Sequence, residues 1–494
     1  MAQWCVINVW PDYSPIVRFL LGPNDRQLVT QLSNRYVLKV RVNINCSAFV
    51  DDPEAELGAD HNRLWESVPQ AQHLSLVFTA NSSVIDDWPP MLAPGSEFGA
   101  TLAALAARYP SVDVKFGQAS DPLDAVVARR LGDLVGRSLR GLKYRRSCVL
   151  SDFSSLPHIV RRGFAGLARL ECNGSLTEAV AGLARANKAS LESLVVGSTN
   201  MSDLHWLFMA DGGRVPVVYP RLHSLSITDG TLYSMEDMGQ LPDVAFMPQL
   251  RRLYLGATPE VSLVALLRGS WATLEYLHIQ YTNEAVEWME ELYFAFRNMP
   301  TNLRHISVEE IFYYESLKEP IDNAARCAFS MSPTIERVTI EGGSKPNERV
   351  WDYALDGLTL VNLTRLEAVW STLDIVDVKT ILVGAPNLQG LNCRAVEVGT
   401  SLAKIDKADL LAHAHRAYPL GKYFAELDIW STDGTPDEIS QVAVLLGVVC
   451  PAFTFLNVAR EYVKKCNKTM QAMANTSPYN AYAPMFYKIC IRER

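Results

Sequence analysis

The sequence predicts an α/β solenoid, a stack of coils that each carry one strand and one helix, and three observations point to it. A six-residue phrase with apolar residues at its first, fourth and sixth places recurs along nearly the whole 494-residue chain. Successive phrases begin 24 to 38 residues apart, which suits a strand plus a helix per turn. Between phrases the chain becomes amphipathic at helical spacing, over 176–186, 261–268, 284–297 and 375–383.

The phrases run from Trp4-Ile7-Val9, Val37-Val40-Val42, Ala71-Leu74-Leu76 and Tyr109-Val112-Val114 through Leu139-Leu142-Tyr144 and Leu167-Leu170-Cys172. The clearest copies follow at Leu191-Leu194-Val196, Leu222-Leu225-Ile227, Leu250-Leu253-Leu255 and Leu274-Leu277-Ile279. Leu303-Ile306-Val308, Ile335-Val338-Ile340, Leu363-Leu366-Ala368, Leu388-Leu391-Cys393, Phe424-Leu427-Ile429, Phe453-Leu456-Val458 and Phe486-Ile489-Ile491 continue the series. At 48% hydrophobic residues, three chosen places match by chance about 11% of the time, so the phrase alone proves little. Two independent features support it. Proline stands two residues before the phrase at Pro69, Pro220, Pro248, Pro333, Pro386, Pro451 and Pro484, where it is expected to end a helix and favour extended chain. The ninth place carries a small turn-forming residue, among them Asn45, Thr79, Thr258, Thr282 and Thr432, suited to bonding the backbone of the turn after the strand. This is the grammar of a leucine-rich-repeat solenoid, a horseshoe with a parallel concave sheet and outer helices, in about 17 irregular repeats. One coil cannot bury its own apolar side, so 1–494 is expected to be a single stacked domain. Strand phrases at both extremes leave little sequence for caps, so the ends are expected to be covered by a partner or to lack a preceding segment.

Forty-six Lys+Arg against 54 Asp+Glu give a net charge of −8, which argues against nucleic acid, since phosphate binding needs a basic face. Nine cysteines are scattered singly with no C-x-x-C pair, as in a reduced compartment. No signal peptide opens the chain and its longest apolar run, 442–450, is about half of a bilayer span. The expected location is cytoplasmic or nuclear, without membrane contact.

Phrases such as Tyr219-Pro220-Arg221-Leu222-His223-Ser224-Leu225-Ser226-Ile227 and Ala385-Pro386-Asn387-Leu388-Gln389-Gly390-Leu391, on this irregular spacing, resemble the fungal F-box type of leucine-rich-repeat protein. In that family an N-terminal F-box docks on the adaptor of a cullin ubiquitin ligase and the repeats hold the substrate. Strand-like sequence already begins at residue 4, so no residue here takes the F-box role. The resemblance therefore implies substrate recognition, with the cullin adaptor a partner only if an F-box precedes this sequence. The alternative is a structural or scaffolding repeat protein with no ubiquitin link.

Phosphate loops, dinucleotide fingerprints, G-x-S-x-G and H-E-x-x-H are absent, and the repeats leave no residues for a catalytic domain. No enzyme activity, cofactor or metal is expected. His413 and His415 could share a strand face as metal ligands, but they fall in the long insert before Phe424 with no Cys or acidic partner nearby. The acidic doublets Asp51-Asp52 and Asp86-Asp87 read as solvated loops. Arg137, Arg140, Lys143, Arg145 and Arg146 form a basic run that suits a solvated edge or an acidic partner.

If the first, fourth and sixth places are buried, strand alternation turns the third, fifth and seventh to the concave surface. In the central coils these are Arg252, Tyr254 and Gly256; Tyr276, His278 and Gln280; His305, Ser307 and Glu309; then Arg337, Thr339 and Glu341. Arg and aromatic side chains gathered on one surface are the composition of a protein-binding hot spot, so Arg252, Tyr254, Tyr276, His278, His305 and Arg337 are the candidate contacts for another protein. The same places carry Lys39, Arg41, Lys115, Lys143, Arg145 and Arg169 toward the front and Glu426, Asp428 and Trp430 toward the back, a basic-to-acidic gradient along the face.

Overall fold

Strand β1 (Trp4–Val9) opens a parallel sheet that continues through β2 (Val37–Asn45), β3 (His73–Thr79), β4 (Ser111–Phe116), β5 (Leu139–Tyr144) and β6 (Arg169–Cys172). Helix α1 (Glu178–Ala186) leads into β7 (Ser193–Val196), which pairs with β6 and with β10 (Ser224–Ile227). A short antiparallel pair, β8 (Met209–Ala210) and β9 (Val215–Pro216), lies between them in sequence. The structure, a computed structural model, describes residues 4–9, 37–45, 73–79, 106–116, 139–144, 166–172, 178–197, 206–210, 214–228, 244–256, 269–281, 302–310, 328–330, 332–341, 357–397, 421–429, 436–475 and 488–493, with single positions at 100, 103, 104, 176, 267, 326 and 355. The chain divides near residue 250 into two units, and these strands belong to the first.

The second unit repeats the arrangement. Its parallel sheet runs β11 (Arg252–Leu255), β12 (Tyr276–Tyr281), β13 (His305–Glu310), β14 (Arg337–Glu341), β15 (Arg365–Asp374), β16 (Gly390–Glu397), β17 (Glu426–Ile429), β18 (Phe455–Val458) and β19 (Cys490–Glu493), each paired with the next. Helix α2 (Ile375–Gly384) follows β15 directly, α3 (Pro436–Val449) precedes β18, and α4 (Arg460–Ala474) follows it. Each apolar phrase thus overlaps a strand, the last one two places early since Leu456 faces Ile491, and the coils form a solenoid-like α/β repeat.

Register explains the burial. The fourth-place side chains Leu253, Leu277, Ile306, Val338, Leu366, Leu391, Leu427 and Leu456 are register partners in sequence and every one is 0–1% exposed. The sixth-place row, from Leu255 and Ile279 to Cys393 and Ile429, lies beneath it and is also buried. In the first unit the register slips once. Asp113 faces Gly141 and Val114 faces Leu142, so β4 and β5 meet two places out of step after an irregularity at Val112. A slip of two preserves the pleat, and the apolar side chains stay on one face.

Proline does more than the expected helix stop: α2 and α3 do end at Gly384 and Val449, two residues before Pro386 and Pro451, and the prolines also shape the turn that follows. Leu222, Leu250, Ile335, Leu388 and Phe453 each donate their N–H to the carbonyl three residues earlier, on Tyr219, Met247, Ser332, Ala385 and Cys450. Pro220, Pro248, Pro333, Pro386 and Pro451 therefore occupy the second position of a β-turn that delivers the chain to the strand, where a fixed φ is preformed. Of the ninth-place residues, Asn45 and Thr79 are register partners at the ends of β2 and β3, while Thr258, Thr282 and Thr432 lie outside the described residues. A polar ladder that the sequence reading missed sits immediately before the phrase. Asn302, Asn362 and Asn387 each donate a side-chain N–H to the carbonyl of the preceding coil's turn, at Ala272, Pro333 and Val361, over 2.7–2.8 Å.

Helices α1 and α2 fall where amphipathic spacing placed them, whereas 284–297 lies outside the described residues, as does 261–268 apart from Leu267. Helices α3 and α4 were not anticipated. In α3, Ile439, Val442, Ala443, Leu446 and Val449 are all buried, a broad apolar surface that reads in sequence like a strand core.

Among the described residues, glycine permits a cross-strand staple once in each unit. Arg169 on β6 reaches over Gly141 on β5 to bond Asp113 on β4 at 2.6 Å, and Asp113 is 5% exposed. Arg365 on β15 reaches over Gly390 on β16 toward Asp428 on β17 at 3.6 Å. A Cβ on Gly141 would stand 2.3 Å from the Asp113 carboxylate. Gly141→Ala is expected to destabilise the chain by about 1–3 kcal/mol, from overpacking and a displaced ion pair, lowering its urea midpoint. Adding Asp113→Ala should recover part of that loss; an unchanged midpoint in Gly141→Ala would show that the staple does not hold these strands.

Candidate recognition face

Because β11–β18 stay in register as far as the sixth place, with a shift between β15 and β16 only beyond Ala368 and β19 set two places out of step, side chains at equal places form rows across the sheet. The third-place row reads Arg252, Tyr276, His305, Arg337, Arg365, Gly390 and Glu426. The fifth-place row beside it reads Tyr254, His278, Ser307, Thr339, Glu367, Asn392 and Asp428. A shorter seventh-place row holds Gln280, Glu309 and Glu341. The six candidate contacts therefore share one face, on four adjacent strands.

They are not equally available. Arg252 is exposed, Tyr254, Tyr276, His305 and Arg337 are half-buried, and His278 is 6% exposed. The reason lies in the cross-strand packing. The Tyr254 ring stacks on His278 with centroids 4.1 Å apart and planes 3° from parallel, covering the imidazole. Tyr276 meets His305 edge-to-face at 4.6 Å. His278 Nδ1 lies 2.9 Å from Ser307 Oγ, while its Nε2 faces Glu309 Oε2 at 3.5 Å.

Glu367 is the hub of the basic part of the face, and sequence reading passed over it because its phrase, Leu363-Leu366-Ala368, is degenerate. Arg337 and Arg365 are register partners, two cations directly opposite each other, an unfavourable pair in isolation. Glu367, with a side chain 13% exposed, resolves the repulsion by accepting from Arg337, from Arg365 Nε at 3.1 Å and from Thr339 Oγ1 at 3.2 Å. Farther along, Asn457 donates to Glu426 at 2.7 Å and to Asp428, and the Arg492 guanidinium lies 3.6 Å over the Phe455 ring. Lys143 on β5 is likewise paired, with Glu171 on β6. Arg145, Arg146, Trp430, His413 and His415 lie outside the described residues, as do the side chains of Lys39 and Arg41.

The titrating groups reflect these surroundings. Burial and then the Arg337 charge push His305 down to about 4, and burial pushes His278 down as well. Burial followed by the carboxylates of Glu309 and Glu367 raises Glu341 above the ordinary range. Burial raises the Cys393 thiol, and it raises the Cys450 thiol to about 12. Both imidazoles are thus neutral and weakly basic at neutral pH, and both thiols are inert. Among the described residues no cluster of His, Cys, Asp and Glu is placed to hold a metal ion, and no helix is long and apolar enough to cross a membrane.

No protein-family model matches this sequence, and no curated protein matches it.

The depressed histidines make stability pH-dependent with a definite sign. The unfolded chain takes up protons near pH 6.5 and folded His305 only near 4, so stability is full above that interval and falls as pH drops through it. The urea midpoint is expected to decrease between pH 7 and pH 4.5, and His305→Phe should flatten part of that decrease. An equal slope in variant and parent would show that His305 is not desolvated by this packing.

Proposed function

We propose that the chain is a non-catalytic protein-recognition solenoid of the leucine-rich-repeat type, serving as the substrate-binding part of an F-box-like ubiquitin-ligase receptor. The observation that carries the recognition reading is the β11–β14 face. Arg252, Tyr254, Tyr276, His278, His305 and Arg337 stand there on neighbouring strands of a register-locked sheet. Their rings are already packed on one another, so a partner meets them with little side-chain entropy left to lose. Rigid aromatic and guanidinium groups are the side chains that dominate protein interfaces.

The tuning of the titratable groups supports binding over catalysis. A general base works best with its pKa near the working pH, and burial holds His278 and His305 away from it. The ubiquitin-ligase part of the proposal rests on the repeat grammar and its resemblance to F-box receptors. It implies a cytoplasmic or nuclear protein whose adaptor contact is made by a segment other than these strands.

Affinity purification of the tagged chain from its own cells tests both parts. Arg252→Ala with Tyr276→Ala is the informative variant, because Arg337 is committed to Glu367 and its loss would disturb the sheet. Recovery of the principal partner is expected to fall about tenfold or more, the effect of removing two hot-spot side chains. Partners retained at full recovery would exclude this face as the binding surface. Cullin-ligase components among the parent's partners would support the receptor reading, and a partner set without them would favour a scaffold.

A further inference from the structure

Among the described residues of the second unit, several acidic groups are met by a cation. Glu367 and Asp428 are met by Arg337 and Arg365, Glu275 by Arg251 at 3.5 Å, and Glu336 by Arg304 at 3.3 Å. Glu426 takes a hydrogen bond from neutral Asn457 instead, and Glu309 and Glu341, register partners on β13 and β14, are paired with no lysine or arginine among the described residues. Glu309 accepts a hydrogen bond from neutral Gln280 at 2.6 Å and faces His278, a ring that burial keeps uncharged. Burial first, and then repulsion from Glu309 and Glu367, raises the Glu341 carboxyl, so every neighbouring charge that acts on it is negative.

A second observation points into the same spot. The His278 side chain is 8% exposed, and its buried Nε2 has no partner that satisfies hydrogen-bond geometry. A buried polar atom left in that condition is costly unless a bound group reorganises its surroundings. The Tyr254 and Tyr276 rings complete the surroundings, and the Tyr254 hydroxyl is sensitive to both Glu309 and Glu341. Aromatic rings beside two carboxylates that lack a counterion favour a cation, through the ring quadrupole and direct charge attraction.

Building on the recognition reading above, we propose that the β11–β14 face seats a basic segment of its protein partner, one lysine or arginine stem lying against Tyr254 and Tyr276 with its cation at Glu309 and Glu341. The incoming cation offsets one of the two negative charges, relieves the repulsion between the carboxylates, and lets the Glu309 oxygens turn fully toward His278 Nε2 or toward the ligand. Arg252, exposed at the opposite end of β11, sets the direction of the segment by favouring an acidic or neutral residue there.

Fluorescence anisotropy on the full chain at 0.15 M salt tests this with two labelled dodecapeptides, alternating Arg-Ser and alternating Glu-Ser. The Arg-Ser peptide is expected to bind about tenfold tighter or better, and the preference should vanish in Glu309→Gln/Glu341→Gln and weaken in Tyr254→Ala. Glu461→Gln removes an exposed acid on α4 and should leave it unchanged. A preference that survives Glu309→Gln/Glu341→Gln would place cation binding elsewhere on an acidic chain and overturn the inference. Tighter Glu-Ser binding that is lost in Arg252→Ala would overturn it too, while leaving protein recognition by this face intact. Binding of neither peptide, together with full partner recovery by the Arg252→Ala/Tyr276→Ala chain, would remove both readings.

Discussion

One backbone contact organises both sheets: the carbonyl at the second place of a coil accepts two N–H groups from the next. Arg251 O takes Glu275 N and Tyr276 N at 2.8 and 2.9 Å, Glu275 O takes Arg304 N and His305 N, and the pattern continues through Glu336, Thr364, Gln389 and Ala425. Each strand is thereby started at the same place as its neighbour. Variable intervals of 24 to 38 residues between phrases are then harmless, because the difference is absorbed before the turn. The Asn302, Asn362 and Asn387 ladder reinforces the lock from the side chains, one turn earlier. Without this fixed start there would be no rows, and without rows neither the buried leucine seam nor the arginine and aromatic face would exist.

A row forces like beside like, and the chain handles the consequence in two ways. Apolar rows gain from it, since stacked Leu253, Leu277 and Ile306 exclude water along a continuous seam. Charged rows suffer, and glycine is the remedy. Gly141 and Gly390 remove a side chain so that an arginine can cross to an aspartate two strands away. Glu309 and Glu341 receive no such remedy. Holding two carboxylates side by side without a cation weakens the folded state relative to a chain with a lysine at either position. A cost retained beside the neutralised Glu367 is the expected signature of a surface kept for something outside the chain.

How much of this was readable in advance depends on whether a property is carried by one coil or by two. The strands were legible because burial at places one, four and six acts on each coil separately, so even Phe424-Leu427-Ile429 marked its strand, while Phe486-Ile489-Ile491 marked β19 two places early, since Leu456 faces Ile491. The shared face was legible for the same reason, from alternation alone. What escaped was pairwise. Tyr254 covering His278, Glu367 gathering Arg337 and Arg365, and the two-place slip at Val112 depend on which residues become neighbours across strands 24 to 38 residues apart in sequence. The prolines were found with part of their role: Pro386 and Pro451 do follow helix ends, while the turn they build is set by backbone bonds that the sequence does not show. Helix α3 was missed because a buried apolar run carries no period that separates helix from strand, whereas α4 is polar and mostly exposed around buried Cys466 and Met470, an amphipathic spacing that the sequence does carry.

The charge pattern shows most clearly what pairing changes. Read along the sequence, cations toward the front and acids toward the back suggest polarity along the stack. In the structure many of those charges are consumed locally: Lys143 by Glu171, Arg169 by Asp113, Asp428 by Arg365 and Asn457. The polarity left over in β11–β14 runs the other way, along the strands, from Arg252 and Arg337 at the third places to Glu309 and Glu341 at the seventh. Arg337 shares its charge with Glu367, so the net field across this patch is weighted to the acidic end. A segment laid along the strand direction experiences that field over its own length and is held in one orientation. A segment laid across the strands meets repeated copies of one row and gains no direction from it. Strand-parallel docking is therefore the geometry in which the unpaired acids and the packed rings act on the same few residues of a partner.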